Sequence, residues 1–185
     1  MLLINASRKR SSAMAFPMAA YIPQEEFSDG STRTLSLTRL LSKFRIILDK
    51  SGLDPSVSKF DVKQVRLRNL NKKVYYFKDS KATAAEDILD IGETLDGDDL
   101  ANIFTTGVDF YIPENMQGDL LSDNIDQKTH IPPDDKKGLC TYVEFTVDYK
   151  SSTQYDESLI YRYYLHDGSF LHNFDFVRNT MYSCT

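Results

Sequence analysis

Thr141-Tyr142-Val143-Glu144-Phe145-Thr146-Val147-Asp148-Tyr149 is the stretch on which the reading of the fold turns. Val143, Phe145, Val147 and Tyr149 alternate with Tyr142, Glu144, Thr146 and Asp148, which is the pattern of a strand laid against a core. A second alternation follows at 160–166, with Tyr161, Tyr163 and Leu165 opposite Arg162 and Tyr164. His166-Asp167-Gly168-Ser169 then reads as a turn. The last run, Met181-Tyr182-Ser183-Cys184-Thr185, reads as the opening of a further strand with no turn, cap or polar tail behind it. Unpaired strand groups recruit another strand. The expectation is therefore either a chain interrupted within a sheet or a strand supplied from elsewhere.

Working outward, Val108-Asp109-Phe110-Tyr111-Ile112-Pro113 is a strand. So is 60–70, with Val65 and Leu67 opposite Arg66 and Arg68, before a turn at Asn71-Lys72-Lys73 into Val74-Tyr75-Tyr76-Phe77. In 34–49 the parity of Leu35 and Leu37 differs from that of Phe44, Ile46 and Leu48. A bulged strand or a helical turn over 35–42 both fit, with a strand from about 43 onward. Pro17 and Pro23 confine the apolar run at 13–22 to an edge or a crossover. The long polar loop at 116–138 is expected to be exposed. The acidic stretch 78–106 carries no strand pattern; a short helix at 82–89 fits it.

Many short strands and no repeat point to an all-β antiparallel sandwich with little helix. The expected division is a disordered leader at 1–12, a partial β-sandwich domain at 13–80, an acidic linker or loop at 81–106, and a second partial β-sandwich domain at 107–185.

The 185 residues are 41% hydrophobic and 26% charged, an ordinary globular composition. The net charge of −5 argues against a nucleic-acid partner. Eleven Tyr and eleven Phe without Trp suit pleated sheets. No stretch approaches the roughly 18 apolar residues of a membrane helix.

Catalytic chemistry finds no foothold. Cys140 and Cys184 lie far apart, outside any CxxC or Cys/His cluster, and read as idle thiols or as a disulfide between late strands. His130, His166 and His172 show no metal-ligand spacing and read as solvated loop histidines. Asp96-Gly97-Asp98-Asp99 resembles half a calcium loop but lacks its order and its distal Glu. Ser7-Arg8-Lys9-Arg10 is a short basic run on the leader. Tyr155, Tyr161, Tyr163 and Tyr164 suit either half-buried packing or a sugar-stacking platform. No enzyme activity and no cofactor or metal are expected.

Four segments in order carry a resemblance. They are Phe16-Pro17-Met18; the run from Leu35 through Arg39 and Lys43 to Ile46; Phe110-Tyr111-Ile112-Pro113-Glu114-Asn115; and Arg178-Asn179-Thr180-Met181-Tyr182. Together they resemble the fimbrillin-like subunits of type V pili and related surface lipoproteins of Bacteroidales-type bacteria. The resemblance singles out Pro17, Met18, Arg39, Lys43, Glu114, Asn115, Arg178, Asn179 and Tyr182 as structural motif residues. It implies a pair of transthyretin-like sandwich domains, with the first two motifs in one and the last two in the other. It also implies a structural or adhesive fimbrial subunit at the outer membrane and cell surface. Its partners would be other subunits, engaged by strand exchange, and surface glycans or proteins. Lipidation signal, first strands and a strand after Tyr182 would then lie outside this chain, and Arg10 and Arg33 are the early basic residues at which maturation could cut. The alternative is a cell-surface glycan-binding module using the tyrosine set.

Overall fold

The structure, a computed structural model, describes residues 2–3, 16–21, 30, 32, 34–122, 130–152, 157–166 and 171–185. Ser7-Arg8-Lys9-Arg10, Arg33, Tyr155 and the turn after His166 lie outside the described residues. In chain order the strands are β1 (Leu2–Leu3), β2 (Met18–Ala19), β3 (Thr38–Arg39), β4 (Leu41–Ile46), β5 (Val57–Asn71), β6 (Lys73–Val74), β7 (Ile88–Asp96), β8 (Val108–Pro113), β9 (Asn115–Asp119), β10 (Tyr142–Ser151), β11 (Glu157–Tyr164), β12 (Asn173–Phe176) and β13 (Met181–Cys184). Helical structure among the described residues is confined to 3-10 turns at Ala85–Asp87 and Gly97–Leu100. The fold is all-β.

Two sheets enclose the core. One has the order β11-β10-β5-β7 and is antiparallel throughout; the other is β13-β4-β8. Val65, Leu67, Leu70, Leu95 and Val143 of the first sheet face Phe44, Ile46, Val108, Phe110 and Ile112 of the second. Side chains of two inner faces interdigitating in this way make a sandwich. Each fully buried Val, Leu, Ile or Phe contributes about 1.5–3 kcal/mol from burial.

The alternation in β5 and β10 is as expected, with Val65, Leu67, Val143 and Val147 buried. Both Leu67 and Leu70 reach the same core although three positions separate them. Asn69 resolves this, because its φ of 55° is left-handed and resets the phase. Its side-chain amide donates to the carbonyls of Lys137 (2.9 Å) and Cys140 (3.3 Å), which holds the kink.

Several expectations need correction. The acidic stretch contains a full strand, β7, paired with β5. Its register gains a residue between Arg66↔Thr94 and Arg68↔Ile91, so Ile91 is exposed although it shares the parity of Leu89 and Leu95, which face the core, and the period of two is hidden. Gly92 sits at this bulge, where a Cβ would lie 2.4 Å from Leu70 Cδ1. The expected helix at 82–89 shrinks to one 3-10 turn, closed by Asp87 Oδ2 accepting from Thr83 N–H and Oγ1 (both 3.0 Å). The Lys73 ammonium beside Asp87 holds that carboxyl well below the usual range.

Neither option weighed for 35–42 is taken. The chain bends at Leu40, which is fully buried, while Leu35 and Leu37 are exposed; β4 then starts at Leu41. The bend arises because the Leu40 N–H is bonded to the Pro17 carbonyl (3.0 Å), so pairing passes from β2 to β8. Leu2 and Leu3, expected within a disordered leader, pair with Val74 and Lys73. The loop expected from 116 opens with β9, paired to β12.

The pairing also crosses the boundary expected at 81–106. β4, from the first half, lies between β8 and β13 from the second; β5 lies beside β10; and one core takes side chains from both halves. Sequence neighbours are thus not sheet neighbours, and the segments on either side of 81–106 build one sandwich rather than two. The β4–β13 pair is parallel (Met181↔Lys43 to Cys184↔Ile46), a departure from an antiparallel design. It is reached because β12 and the turn after it carry the chain back beside β4.

Candidate functional site: an arginine–carboxylate lock, a groove and a strand edge

Pro113 ends β8 and delivers Glu114 into the interior, where 2% of it is exposed. Arg178, in the turn between β12 and β13, meets it in a two-pronged pair: Nε to Oε1 at 2.9 Å and a terminal nitrogen to Oε2 at 2.5 Å. Glu114 Oε2 also accepts from the Ser80 N–H (2.8 Å), and Oε1 from the Arg178 N–H (3.3 Å). The rest of the guanidinium donates to the carbonyls of Tyr75 (2.7 Å), Tyr76 (3.3 Å) and Lys78. All five guanidinium N–H donors are therefore committed. Paired charges with satisfied hydrogen bonds are the condition under which burial is tolerated.

Asn115 continues the network. Its Nδ2 donates to Leu139 O (2.8 Å) and Thr141 Oγ1 (3.2 Å), and its Oδ1 accepts from Ala82 N–H (3.1 Å) and Gln117 Nε2 (2.7 Å). Asn179 adopts a left-handed φ of 58° in the turn before β13, and its Oδ1 accepts from Arg39 N–H (3.3 Å). Ser42 Oγ donates to Val177 O (2.5 Å) and accepts from Thr180 N–H (3.0 Å). Tyr182 stacks on Phe176 with centroids 4.4 Å apart, and its hydroxyl accepts from Val177 N–H (3.0 Å). Lys43 donates its N–H to Thr180 O (3.0 Å) and its ammonium meets Asp109 at 2.8 Å. Asp109, bonded first by Arg45, is held below the ordinary carboxylate range. Met18 pairs with Arg39, and Pro17 receives the Leu40 N–H.

The motif residues are thus brought together around β4 and its neighbours. Their contacts are with one another, with backbone and with the side chains of Asp109, Thr141, Gln117 and Phe176, which is the arrangement of a structural lock. Sequence reasoning missed Ser42, Ser80 and the carbonyls of 75–78. It also missed the groove beside them, about 560 Å³, lined by Ala19, Ala20, Tyr21, Tyr76, Phe77 and Arg178 among others. The signal is Tyr75-Tyr76-Phe77, read in the sequence only as the segment that the turn at Asn71-Lys72-Lys73 leads into. Adjacent exposed aromatics, Tyr76 and Phe77, do not fit a half-buried alternation.

The other candidates resolve differently. Cys140 and Cys184 are free thiols; burial pushes Cys140 up to about 12 and also raises Cys184. Gly97–Leu100 is a 3-10 turn that seats Leu100 in the core. Among the described residues no group of His, Cys, Asp or Glu is placed to hold a metal ion, and no helix is long and apolar enough to cross a membrane. The tyrosines do not share a face. Tyr164 packs on Tyr142 (5.1 Å) and Phe174 (6.4 Å) on the outer side of the sheet, whereas Tyr163 faces the core and its hydroxyl meets His166 Nε2 at 2.7 Å.

His130 is buried rather than solvated. It stacks on Phe174 at 4.4 Å, its Nδ1 bonds the Leu171 carbonyl, and the His166 ring lies 4.8 Å away. Burial holds its pKa below the usual imidazole value, against the pull of the Leu171 carbonyl. The unfolded chain therefore binds a proton in a window where the folded chain does not, and stability falls as pH drops from about 6.5. The ordinary carboxylate range lies below this window, so the melting temperature should decline between about pH 6.5 and 5. His130→Phe should flatten that decline; an unchanged slope in His130→Phe would refute the assignment.

Met181 and Ser183 point outward from β13 while Tyr182 and Cys184 turn inward. The bonds from Lys43 N–H to Thr180 O and from Ile47 N–H to Cys184 O place the backbone of 180, 182 and 184 toward β4. In a parallel ladder this leaves the N–H and C=O of Met181 and Ser183 on the outer edge. Among the described residues no strand pairs there.

No curated protein matches the sequence. Residues 110–185 match the family model described as Domain of unknown function (DUF4906), a span that begins in β8 and takes in Glu114, Asn115, Arg178, Asn179 and Tyr182.

Proposed function

We propose that the chain is a structural or adhesive subunit of a bacterial cell-surface fimbria, without enzymatic activity, that associates with other subunits by β-strand addition along the outer edge of β13. The observation that carries this is the edge itself: one strand, bonded to β4 on one side, with the backbone groups of Met181 and Ser183 facing out. An adjacent apolar strip supports it. Phe145, Leu159, Tyr161 and Tyr163 share the core-facing side of β10 and β11, yet Tyr161 is 48% exposed. A strand added beside β13 has an apolar surface to cover. Main-chain bonds would supply affinity and alternate side chains the register. The resemblance of the motif residues to fimbrillin-like subunits supports the same reading, and with it a place at the outer membrane.

Peptides of alternating apolar residues should raise the melting temperature, because a ligand of the folded state stabilises it by mass action. Ser183→Pro removes an outward N–H and is compatible with an edge strand. It should leave the stability of the isolated chain within about 1 kcal/mol and abolish the peptide response. Absence of any thermal shift or polymer with every such peptide, or a response that survives Ser183→Pro, would sink the proposal.

A further inference from the structure

We propose that the groove between β2–β3 and the 75–79 loop is a binding site for an uncharged oligosaccharide. It is separate from the strand edge and does not rest on it. The groove is an open trough of about 560 Å³. Two of its walls are the Tyr21 and Phe77 rings, 71% and 68% exposed, with centroids 5.9 Å apart and planes inclined at 54°. Tyr76 adds a third ring 6.1 Å from Phe77. Large aromatic rings gathered in solvent mark a surface for contact.

The wall is also pre-set. Arg178 holds the carbonyls of Tyr75, Tyr76 and Lys78, and the Ser80 hydroxyl accepts the Tyr75 N–H at 2.9 Å. A ligand meeting fixed rings loses less to ordering the site.

The lining selects the ligand class. Arg178 reaches the floor, but every guanidinium N–H is spent and Glu114 balances its charge, so the floor offers nothing to an anion. Lys78 and Asp79 line the groove as opposite charges. Among the described residues, Val, Leu, Ile and Met are absent from the lining, where a lipid tail or an apolar peptide would need them. What remains are aromatic faces, the small Ala19 and Ala20, the hydroxyls of Ser36 and Thr38, and the Asp79 carboxylate. A pyranose matches this set: its C–H face, slightly positive, lies on the negative face of an aromatic ring, while its hydroxyls exchange hydrogen bonds with short polar groups.

The test is titration calorimetry with neutral hexasaccharides of glucose, mannose and N-acetylglucosamine, beside a sulfated hexasaccharide and an alternating apolar peptide. At least one neutral sugar should bind saturably. Tyr21→Ala and Phe77→Ala should each weaken it about tenfold or more, with Phe77→Tyr retaining most of the affinity. Melting curves of the variants should match the parent, since both rings are exposed, and Tyr161→Ala should leave binding unchanged. Failure of every neutral sugar, binding that survives both alanine substitutions, or occupation of the groove by the sulfated sugar or the peptide instead would each overturn the proposal. Loss of the strand-peptide response in Ser183→Pro, with sugar binding intact, would separate this site from the β13 edge.

Discussion

Arg178→Met lowers the free energy of unfolding by about 3–5 kcal/mol, read from urea denaturation, because it leaves the Glu114 carboxylate buried without its cation. The side chains of Arg178 and Glu114 are 11% and 2% exposed, so water cannot take over. The same substitution strips the donors from the Tyr75, Tyr76 and Lys78 carbonyls, so cleavage by added protease should move to the 75–79 loop. Glu114→Gln should cost less, since the amide keeps the shape and an oxygen for the Ser80 N–H, and the uncompensated cation is the less buried partner. Groups in one network do not add, so Arg178→Met with Glu114→Gln should cost less than the two single changes summed. Single changes of under about 1 kcal/mol each, adding without remainder, would mean that the lock is ornamental to the fold.

That lock shows what was legible in the chain and what was not. Residue types and order drew attention to Glu114, Asn115, Arg178, Asn179 and Tyr182, and to Pro17, Met18, Arg39 and Lys43. Nothing local says that Arg178 closes on Glu114, or that Asn179 receives the Arg39 N–H across the chain. These contacts follow from β13 lying parallel to β4, and a parallel pair carries no turn signature in sequence. The split of the motifs between two domains was what the resemblance implied; the register places both sets in one sheet and its margins.

Within the fold, β8 was legible from its alternation, as were β5 over 65–68 and β10 over 143–147, stretches on a central or well-covered face. The strand β7 was not, because an extra residue near Gly92 shifts its phase and acidic side chains fill its exposed positions. The kink at Asn69 hid a similar shift in β5. The burial of His130 was not legible either, since it depends on Phe174 and Leu171, some forty positions later in the chain. Periodicity reports a residue's own strand, whereas bulges, left-handed residues and distant partners act on the phase from outside it.

The edge that would receive a partner strand depends on Tyr182 more than on its own backbone bonds, and this can be measured. β13 is short, and its bonds to β4 are half of what an interior strand makes. Its anchor is the Tyr182 ring, stacked on Phe176, which in turn meets Phe44 edge-on at 6.2 Å. Tyr182→Ala should therefore cost about 3 kcal/mol, at the lower end for an aromatic deletion because the ring is only partly buried. Tyr182→Phe keeps the ring but leaves the Val177 N–H without its acceptor, for a cost of about 1 kcal/mol. Hydrogen exchange separates the two: Tyr182→Ala should remove the amide protection of Tyr182 and Cys184, whereas Tyr182→Phe should preserve it. The strand-peptide response should follow the same order, lost with Ala and kept with Phe, since an unseated β13 offers no edge. Equal stability and equal protection in the two variants would show that pairing with β4 alone seats the strand, and the aromatic anchor would have to be abandoned.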